Sequence, residues 1–371
     1  MQSVRICCVL TLLLVPWLSA QRTITANDQQ LASAILGANP GDIILFNGTY
    51  VHSGSQPFVI DKPLFIHCRL PSQIMALGGV EVRGIPAGQA FVLQYCYVRD
   101  LVVNNCAGRV LFAEVIASAY PGMGSVTVTG CDDVTFEGCA IGALAANRSR
   151  VTAGGGTSIR GQAYDSQTNQ YPAGSPAITL VDSALRFGGV SYAIAGAPQN
   201  GAQPGITMDA TSSVVLFRAS NVASAGNTSM SAIHGNGTLE VGLKVNLTPV
   251  GTATPIDPRI RVTNRRAPLV VARPSDIGTQ ATVLVVGADN AVFALFLGRP
   301  GPVAKIPGTV GEFTLEDPLL VASGTIVTTA VGFFVKIPNA PVLRALPFRW
   351  QAATLLGTTI EWSLPVTECH K

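Results

Sequence analysis

The stretch Val126-Thr-Val-Thr-Gly-Cys-Asp-Asp-Val-Thr-Phe-Glu-Gly-Cys139 decides the fold of this chain. It contains two short segments in which apolar and polar residues alternate, and each segment ends in Gly-Cys. Val126 and Val128 are the apolar positions of the first segment, and Val134 and Phe136 repeat the pattern after a tight corner. Because successive side chains of a β-strand point to opposite faces, this alternation predicts two strands that each bury one face.

Similar strand pairs recur on both sides of this stretch, which predicts stacked coils of a solenoid. The first strands of the pairs begin at Phe58, Phe91, Val126, Ile178 and Ile206. When the pairs are aligned, one corner position is occupied by Cys96, Cys131, Ser183 and Thr211, and one inward position by Leu93, Val128, Leu180 and Met208. The widest interval contains residues 146–174, which are rich in Gly, Asn, Ser, Gln and Thr, so we expect a loop there.

The residues before the first pair predict a cap for the solenoid. A short extended run ends at Ala26, and residues 29–38 then place apolar side chains at helical spacing. Asn39-Pro-Gly41 ends the helix, and the apolar strand 42–46 follows. This order of elements resembles the opening of right-handed parallel β-helix proteins, the pectin-lyase-like group. The resemblance implies that the helix covers the open end of the solenoid, where exposed strand edges would pair with another chain.

Composition agrees with a turn-rich β protein. Of the 371 residues, 48% are hydrophobic and only 12% are charged, and 38 Gly and 24 Pro supply turns. The net charge is +3, and the basic residues are scattered, so we expect no nucleic-acid partner.

The first 20 residues predict a secretory signal peptide. Arg5 precedes the apolar run 6–15, which is too short to span a bilayer, and Ala20 is a small residue at the expected cleavage point. We therefore expect an exported protein, secreted or at the cell surface, without a transmembrane segment in the mature chain.

Six cysteines follow the signal, at positions 68, 96, 106, 131, 139 and 369. An even number in an exported chain is compatible with disulfides. Stacked inward-facing thiols are the alternative that we favour, because most of these cysteines fall at repeated positions of the strand pattern. The sequence contains no Cys-x-x-Cys and no His pair at ligand spacing, so we predict no metal site.

The chain changes character after Gly237, where the coil period is lost and strands alternate with Pro/Gly turns. We therefore predict an all-β protein with a signal peptide at residues 1–20, a parallel β-helix at 21–237 and a smaller antiparallel, sandwich-like β-domain at 238–371. The segment 334–352 contains Ile-Pro-Asn-Ala-Pro-Val-Leu343 before an aromatic strand with Gln-Ala. It resembles the C-terminal β module of many bacterial secreted proteins, which implies an extracellular accessory domain.

Two kinds of chemistry are expected if the chain is an enzyme of the group that it resembles. Glycoside hydrolases use paired carboxylates, and polysaccharide lyases use carboxylates that hold Ca²⁺. The outward position of the first strands, however, is occupied by Val59, Val92, Thr127, Thr179 and Thr207, none of which is acidic. The weak catalytic candidates are Asp132, Asp133, Asp182 and Asp209, and the competing interpretation of each is a turn or solvated residue.

A binding surface is the other possibility. Arg186 and Arg218 lie on later coils near the aspartates, and Tyr164, Asp165 and Tyr171 share the predicted loop. A loop on a rigid solenoid is a common place for recognition, although a plain solvated insertion has the same composition.

Two functions therefore remain. The first is an exported, non-catalytic scaffold without a cofactor, which binds an extracellular polysaccharide or another cell-surface component. The second is a polysaccharide lyase or glycoside hydrolase that acts on an acidic polysaccharide, with Ca²⁺ as its only expected cofactor.

Overall fold

The computed structural model describes residues 22–119, 122–162, 173–272, 276–339 and 347–369. Contacts divide the chain into two units, Arg22–Thr263 and the residues from Asn264 onward. The predicted signal peptide and the candidates Tyr164, Asp165 and Tyr171 lie outside the described residues.

The first unit is a parallel β-helix in which a complete coil contributes three strands, numbered here along the whole chain. The first strands of the coils form an eight-stranded parallel sheet, called the first sheet. Its members are β3 (Phe58–Ile60), β5 (Val80–Arg83), β8 (Leu101–Asn104), β12 (Val126–Thr129), β15 (Leu144–Asn147), β18 (Ile178–Val181), β22 (Ile206–Met208) and β26 (Ile233–Gly235).

The second and third strands of the coils belong to one 19-stranded sheet, called the second sheet. The second strands are β6 (Ala90–Gln94), β9 (Arg109–Ala113), β13 (Asp133–Glu137), β16 (Arg150–Gly154), β19 (Ala184–Phe187), β23 (Ser213–Leu216) and β27 (Thr238–Val241). The third strands are β7 (Tyr97–Val98), β10 (Ile116–Ala119), β14 (Ala140–Ile141), β17 (Ser158–Arg160), β20 (Tyr192–Ile194), β24 (Asn221–Ala223) and β28 (Asn246–Thr248). The remaining strands are β1 (Thr23–Asn27), β2 (Ile43–His52), β4 (Phe65–Ala76), β11 (Gly122–Met123) and β29 (Arg261–Asn264). A separate antiparallel pair consists of β21 (Ala202–Gln203) and β25 (Ala225–Gly226).

Identical positions of successive coils stack in register and fill the interior. Phe112 pairs with Phe136 in the next coil, and their rings stack with centroids 5.3 Å apart and planes at 13°. In the first sheet, one inward position is shared by Val103, Val128, Ala146, Leu180 and Met208, all buried. The parallel β-helix with a single short helix, predicted from the alternation of apolar residues, is confirmed for the described residues.

The phase of the predicted coils was wrong in places. Phe91 lies in a second strand and Leu101 begins the first strand of the next coil, so the two do not form one strand pair of a single coil. Leu93 accordingly stacks on Phe112 in the second sheet instead of on Val128. Two-residue alternation shows that a strand has a buried face, but it does not show to which sheet the strand belongs.

The predicted loop at residues 146–174 was also wrong over its first half. β15, β16 and β17 form a complete coil that pairs with the coils on both sides. Gly155 and Gly156 have φ values of 60° and 85°, so these glycines make the turn after β16. The small residues that indicated a loop are therefore the turn residues of a short coil.

Small polar residues and cysteines fill the two corners of the coils. The first corner holds Cys106, Cys131, Ser149, Ser183 and Ser212 on successive coils. The predicted corner set contained Cys96 and Thr211. Cys96 lies one residue before Tyr97, and Tyr97, Ile116 and Ala140 share one position at the start of the third strands. Cys96 therefore belongs to the second corner. Five cysteines are buried free thiols, as we expected for stacked inward-facing thiols: Cys68, Cys96, Cys106, Cys131 and Cys139.

Helix α1 (Gln30–Gly37) buries Leu31 and Ile35 against the start of the solenoid. The Lys62 Nζ donates to the backbone carbonyls of Ile35, Leu36 and Ala38 at 3.1, 2.7 and 3.2 Å. A lysine in this place satisfies carbonyls that the last turn of a helix leaves without partners.

Parallel pairing continues beyond Gly237, where the sequence analysis ended the solenoid. β27 pairs in parallel with β23, and β28 pairs in parallel with β24. The division between the units falls after Thr263 instead. The solenoid therefore extends past Gly237.

The second unit has two sheets around its own core. A three-stranded antiparallel sheet contains β30 (Leu269–Ala272), β31 (Gln280–Val286) and β35 (Ala330–Lys336). A mostly antiparallel six-stranded sheet contains β32 (Val292–Ala304), β33 (Thr309–Val310), β34 (Phe313–Thr325), β36 (Pro347–Leu356), β37 (Thr359–Trp362) and β38 (Val366–Cys369). Side chains from both sheets share one apolar cluster, in which the Phe293 and Phe333 rings lie 5.6 Å apart. Within the described residues, no helix has the length and apolar character needed to cross a membrane.

Candidate functional site

The outward-facing residues of the first sheet form a straight row, called here the outer row. They pair in register from strand to strand, and each is at least partly exposed. The outer row consists of Val59, Glu81, Val102, Thr127, Ala145, Thr179, Thr207 and His234. With neighbouring strands about 4.8 Å apart, the row is about 34 Å long.

The corresponding row of the second strands differs, because most of its outward side chains are buried. Val92, Leu111, Thr135, Thr152 and Arg186 pair in register and are between 1% and 8% exposed. Of the two, only the outer row of the first sheet is accessible to a ligand along its whole length.

The row predicted from the sequence had one wrong member and lacked the ionisable residues of the outer row. Val92 belongs to the second sheet, and Val102 occupies its place. Glu81 and His234 extend the row, so it contains an acidic side chain, although the sequence predicted none. The Oε1 of Glu81 accepts a hydrogen bond of 3.0 Å from the Asn104 Nδ2.

His234 ends the outer row, and the chain returns beside it one coil later. Ile256 bridges to Ile233 in parallel, and the Asp257 N–H donates to the Ile233 carbonyl at 2.9 Å. The proline after Asp257 cannot donate a backbone hydrogen bond, and the chain turns there. This turn places the side chains of Asp257 and Arg259 beside the imidazole of His234.

Asp257 is the centre of this cluster. Its Oδ2 lies 2.9 Å from the His234 Nδ1 and accepts hydrogen bonds from the Arg259 Nη2 at 2.6 Å and from the Gly235 N–H at 3.3 Å. Its Oδ1 accepts from the Nε and the backbone N–H of Arg259 at 3.0 and 3.1 Å. The carboxylate therefore fixes both the imidazole and the guanidinium.

The electrostatics follow from these bonds. Hydrogen bonds from the Arg259 side chain, which outweigh the effect of burial, hold the pKa of Asp257 well below its usual range. The same pairing raises the pKa of Arg259. Asp257 is only 7% exposed, whereas the side chains of His234 and Arg259 are 42% and 57% exposed. The buried Asp257 carboxylate thus holds the side chains of His234 and Arg259, which face solvent.

The cluster presents particular atoms to solvent. The His234 Nε2 lies 3.5 Å from the Arg259 Nη2. The imidazole therefore lies between the Asp257 carboxylate at its Nδ1 and the Arg259 guanidinium at its Nε2. Within the described part of the chain, the Arg259 Nη1 makes no hydrogen bond to protein, so its donors point to solvent.

The four predicted carboxylates do not converge on one point. Asp182 and Asp209 meet on adjacent coils, where the Asp209 carboxylate accepts from the Asp182 N–H at 3.1 and 3.2 Å. It also accepts from the hydroxyls of Thr211 and Ser212. Burial raises the pKa of Asp209, but these hydrogen bonds outweigh it, and the pKa is lowered. Asp209 thus fastens a turn.

The other pair lies two coils earlier. Asp132 is exposed, and Asp133 begins β13, where its Oδ1 accepts from the Thr135 Oγ1 at 3.5 Å. With strands about 4.8 Å apart, two coils correspond to about 10 Å of separation along the solenoid axis. This pair and the Asp182–Asp209 pair therefore do not form one compact set.

Arg186 lies in β19, and Arg218 lies in the turn after β23 on the adjacent coil. Both are buried. Neither belongs to the outer row. The cluster at the end of that row was missed because His234 is more than 20 residues away from Asp257 and Arg259, and the three join only when a coil closes. One signal was present: His234 follows Thr179 and Thr207 at a similar interval.

The second unit contains a pocket of its own. This pocket of about 240 Å³ is lined by Asn264, Arg266, Thr359, Glu361 and neighbouring residues. The Glu361 carboxylate in it already accepts two hydrogen bonds from the Arg266 N–H and lies 3.9 Å from the Arg265 Nε. No group of three or more His, Cys, Asp or Glu side chains within the described residues is arranged to hold a metal ion.

No model of a known protein family matches the chain, and no curated protein shows significant sequence similarity to it.

Proposed function

We propose that the chain is an exported β-helix protein of pectin-lyase-like architecture that binds an extended polymer, a glycan of the cell surface or its surroundings, without cleaving it. The observation that supports this proposal is the outer row, whose eight positions follow one another in register and are all accessible. A rigid, straight surface suits a chain-like ligand, because little conformational freedom is lost by the protein on binding.

The composition of the outer row supports contacts with a hydroxyl-rich ligand. Thr127, Thr179 and Thr207 offer hydroxyl groups, which both donate and accept hydrogen bonds. The short side chain of Ala145 in the middle of the row leaves room for a polymer that lies along it. The carboxylates proposed for catalysis are dispersed along the solenoid, and this dispersion favours binding over cleavage.

The test is binding of the mature chain, residues 21–371, to a panel of neutral and charged polysaccharides by affinity electrophoresis. Ala145→Arg places a long charged side chain in the middle of the row, and we expect it to abolish retardation by the polymer. Ala87→Arg, in the exposed turn between β5 and β6, is the matched control. If no polymer binds, or if both variants bind like the wild type, the proposal is wrong.

The enzymatic alternative is a lyase or glycoside hydrolase that acts on an acidic polysaccharide, with or without Ca²⁺. Release of new reducing ends or unsaturated products by the purified protein would support it. If that turnover disappeared when Asp132, Asp133, Asp182 and Asp209 were all replaced by Asn, the aspartates would be implicated, and non-catalytic binding would be excluded.

Export is a separate part of the proposal, supported by the character of residues 1–20. We expect the protein recovered outside the cytoplasm to begin at Gln21 or within a few residues of it, as measured by N-terminal sequencing. Recovery of an intact N-terminus from the cytoplasm alone would contradict export.

A further inference from the structure

The end of the outer row contains two basic side chains that are held in place by a buried acid. Asp257 fixes Arg259 through a two-bond fork and His234 through Nδ1, and it is itself almost fully buried. An arginine that is already oriented loses less conformational freedom when it binds a ligand than one that is free to rotate.

We infer that Arg259, with His234 beside it, forms a binding site for an oxyanion, a sulfate, phosphate or carboxylate group carried by the polymer. The inference rests on the proposed function for the polymer, although the site itself can be tested with a free ion. The Arg259 Nη1 faces solvent with two donors, and guanidinium groups recognise planar and tetrahedral oxyanions through such donors.

The position of the site indicates how such a ligand would lie. Thr207 pairs directly with His234 on the adjacent strand, and Thr179 pairs with Thr207 on the strand before it. A polymer that contacts these threonines reaches His234 and Arg259 in the same line. The end of the row therefore selects for charge, while the threonines contact groups that every sugar carries.

An ion pair that only stabilises the last turn is the competing explanation. Asp257 joins segments that close the last coil, and such a role needs a buried acid with partners. This stabilising role does not require His234 and Arg259 to be about half exposed beside the outer row. The two explanations differ in what they predict for ligand binding by folded variants.

The first arm of the test uses a free ion and does not depend on any polymer. Inorganic sulfate, inorganic phosphate and acetate are titrated separately into protein labelled with ¹⁵N in its histidines, and the imidazole signal lost in His234→Gln is followed. We expect this signal to shift in a saturable manner with at least one ion, and the shift to be lost in Arg259→Gln. No saturable shift, or an unchanged one in Arg259→Gln, would overturn the site.

The second arm compares polymers with one backbone: dextran, dextran sulfate and carboxymethyl dextran. We expect the wild type to bind at least one charged dextran more tightly than dextran, and Arg259→Gln to lose about ten-fold in that affinity. Arg259→Lys keeps the charge but not the fork, and we expect a similar loss. Arg261→Gln removes an exposed charge two residues away and is the control, expected to bind like the wild type.

The outcomes separate the two proposals. Equal losses in Arg259→Gln and Arg261→Gln would mean general attraction to a basic surface, and the oxyanion site would be wrong. Binding of dextran that is blocked by Ala145→Arg, without any preference for charge, would leave the proposed function and remove the site. A saturable response to a free ion without binding of any polymer would leave the site and remove the proposed function. Circular dichroism of each variant checks that it is folded.

Discussion

At the scale of single residues, hydroxyl groups keep the first corner of the solenoid in register. The Ser183 Oγ accepts from the Ser149 N–H at 3.1 Å and donates to the Val181 carbonyl at 2.7 Å. The Ser183 N–H in turn donates to the Ser212 Oγ. Each hydroxyl therefore satisfies a buried backbone group of the preceding coil, and this need explains the serines at a position that the alternating pattern alone would fill with an apolar residue.

Ser183→Ala tests this role. The change leaves the buried Ser149 N–H without its acceptor, so we expect the free energy of unfolding in urea to fall by about 1–3 kcal/mol. Ser55→Ala, at an exposed position, is the control, with an expected change of less than about 0.5 kcal/mol. Equal stability of the two variants would show that water or a backbone shift replaces the hydroxyl.

The Asp42 carboxylate makes the free energy of unfolding depend on pH. Burial alone would raise its pKa, but hydrogen bonds from the Arg22 side chain and the Asn39 N–H outweigh burial and lower it. A carboxylate with a lowered pKa in the folded state stabilises the fold fully above its unfolded pKa of about 3.9. This contribution is lost as the pH falls through the lower pKa of the folded state.

We therefore expect Asp42→Asn to lower the free energy of unfolding at pH 7 by about 2 kcal/mol. The difference from wild type should shrink as the pH falls below about 4, because the wild-type carboxyl then becomes protonated too. Urea unfolding between pH 7 and pH 2 measures this, with the exposed Asp61→Asn as the control. A difference that stays constant across this range would refute the electrostatic explanation.

At the scale of elements, the short helix α1 depends on a partner outside itself. With eight residues it is shorter than isolated helices that are stable in water. It has no side-chain hydrogen bond at its N-cap and no basic residue in its last turn. Lys62, which comes from the segment between β3 and β4, supplies the missing cation at the C-terminal carbonyls.

Lys62→Met keeps the apolar stem of the side chain but removes these three hydrogen bonds. We expect a loss of about 1 kcal/mol in the free energy of unfolding and faster hydrogen exchange in α1 than in the wild type. Lys244→Met, at an exposed position of the same unit, should leave both unchanged. Unchanged exchange in α1 of the Lys62 variant would mean that the apolar contacts of Leu31 and Ile35 suffice.

At the scale of the whole molecule, the thiols report on the integrity of the solenoid. Five buried free cysteines are distributed from Cys68 to Cys139. Burial raises the pKa of the Cys139 thiol to about 12, so little reactive thiolate is present at neutral pH. Because all five side chains are buried, a reagent reaches these thiols only when coils open.

A chain without residues 1–20 and with Cys369→Ser isolates the five thiols. We expect no alkylation of them in the native protein and complete alkylation in urea, along the unfolding curve that circular dichroism measures. Ser55→Cys adds an exposed thiol that should react immediately and confirms that the reagent is active. Rapid native labelling of any of the five, located by peptide mass spectrometry, would show local opening.

The sequence alone determined that the chain forms stacked, turn-rich β coils with a capping helix, because the alternation of Val126 to Phe136 and the spacing of residues 29–38 are local properties. It did not determine which sheet a strand joins. Phe91 and Leu101 have the same local pattern, and only the closure of the coils separates them into different sheets.

The tertiary structure also decided where the candidate site lies. His234 is more than 20 residues away from Asp257 and Arg259 in the sequence, and the three meet because the last coil returns beside β26. The outer row likewise exists only once eight strands pair in register. Local periodicity specifies which face of a strand is buried, whereas contacts between coils depend on turn lengths that periodicity does not specify.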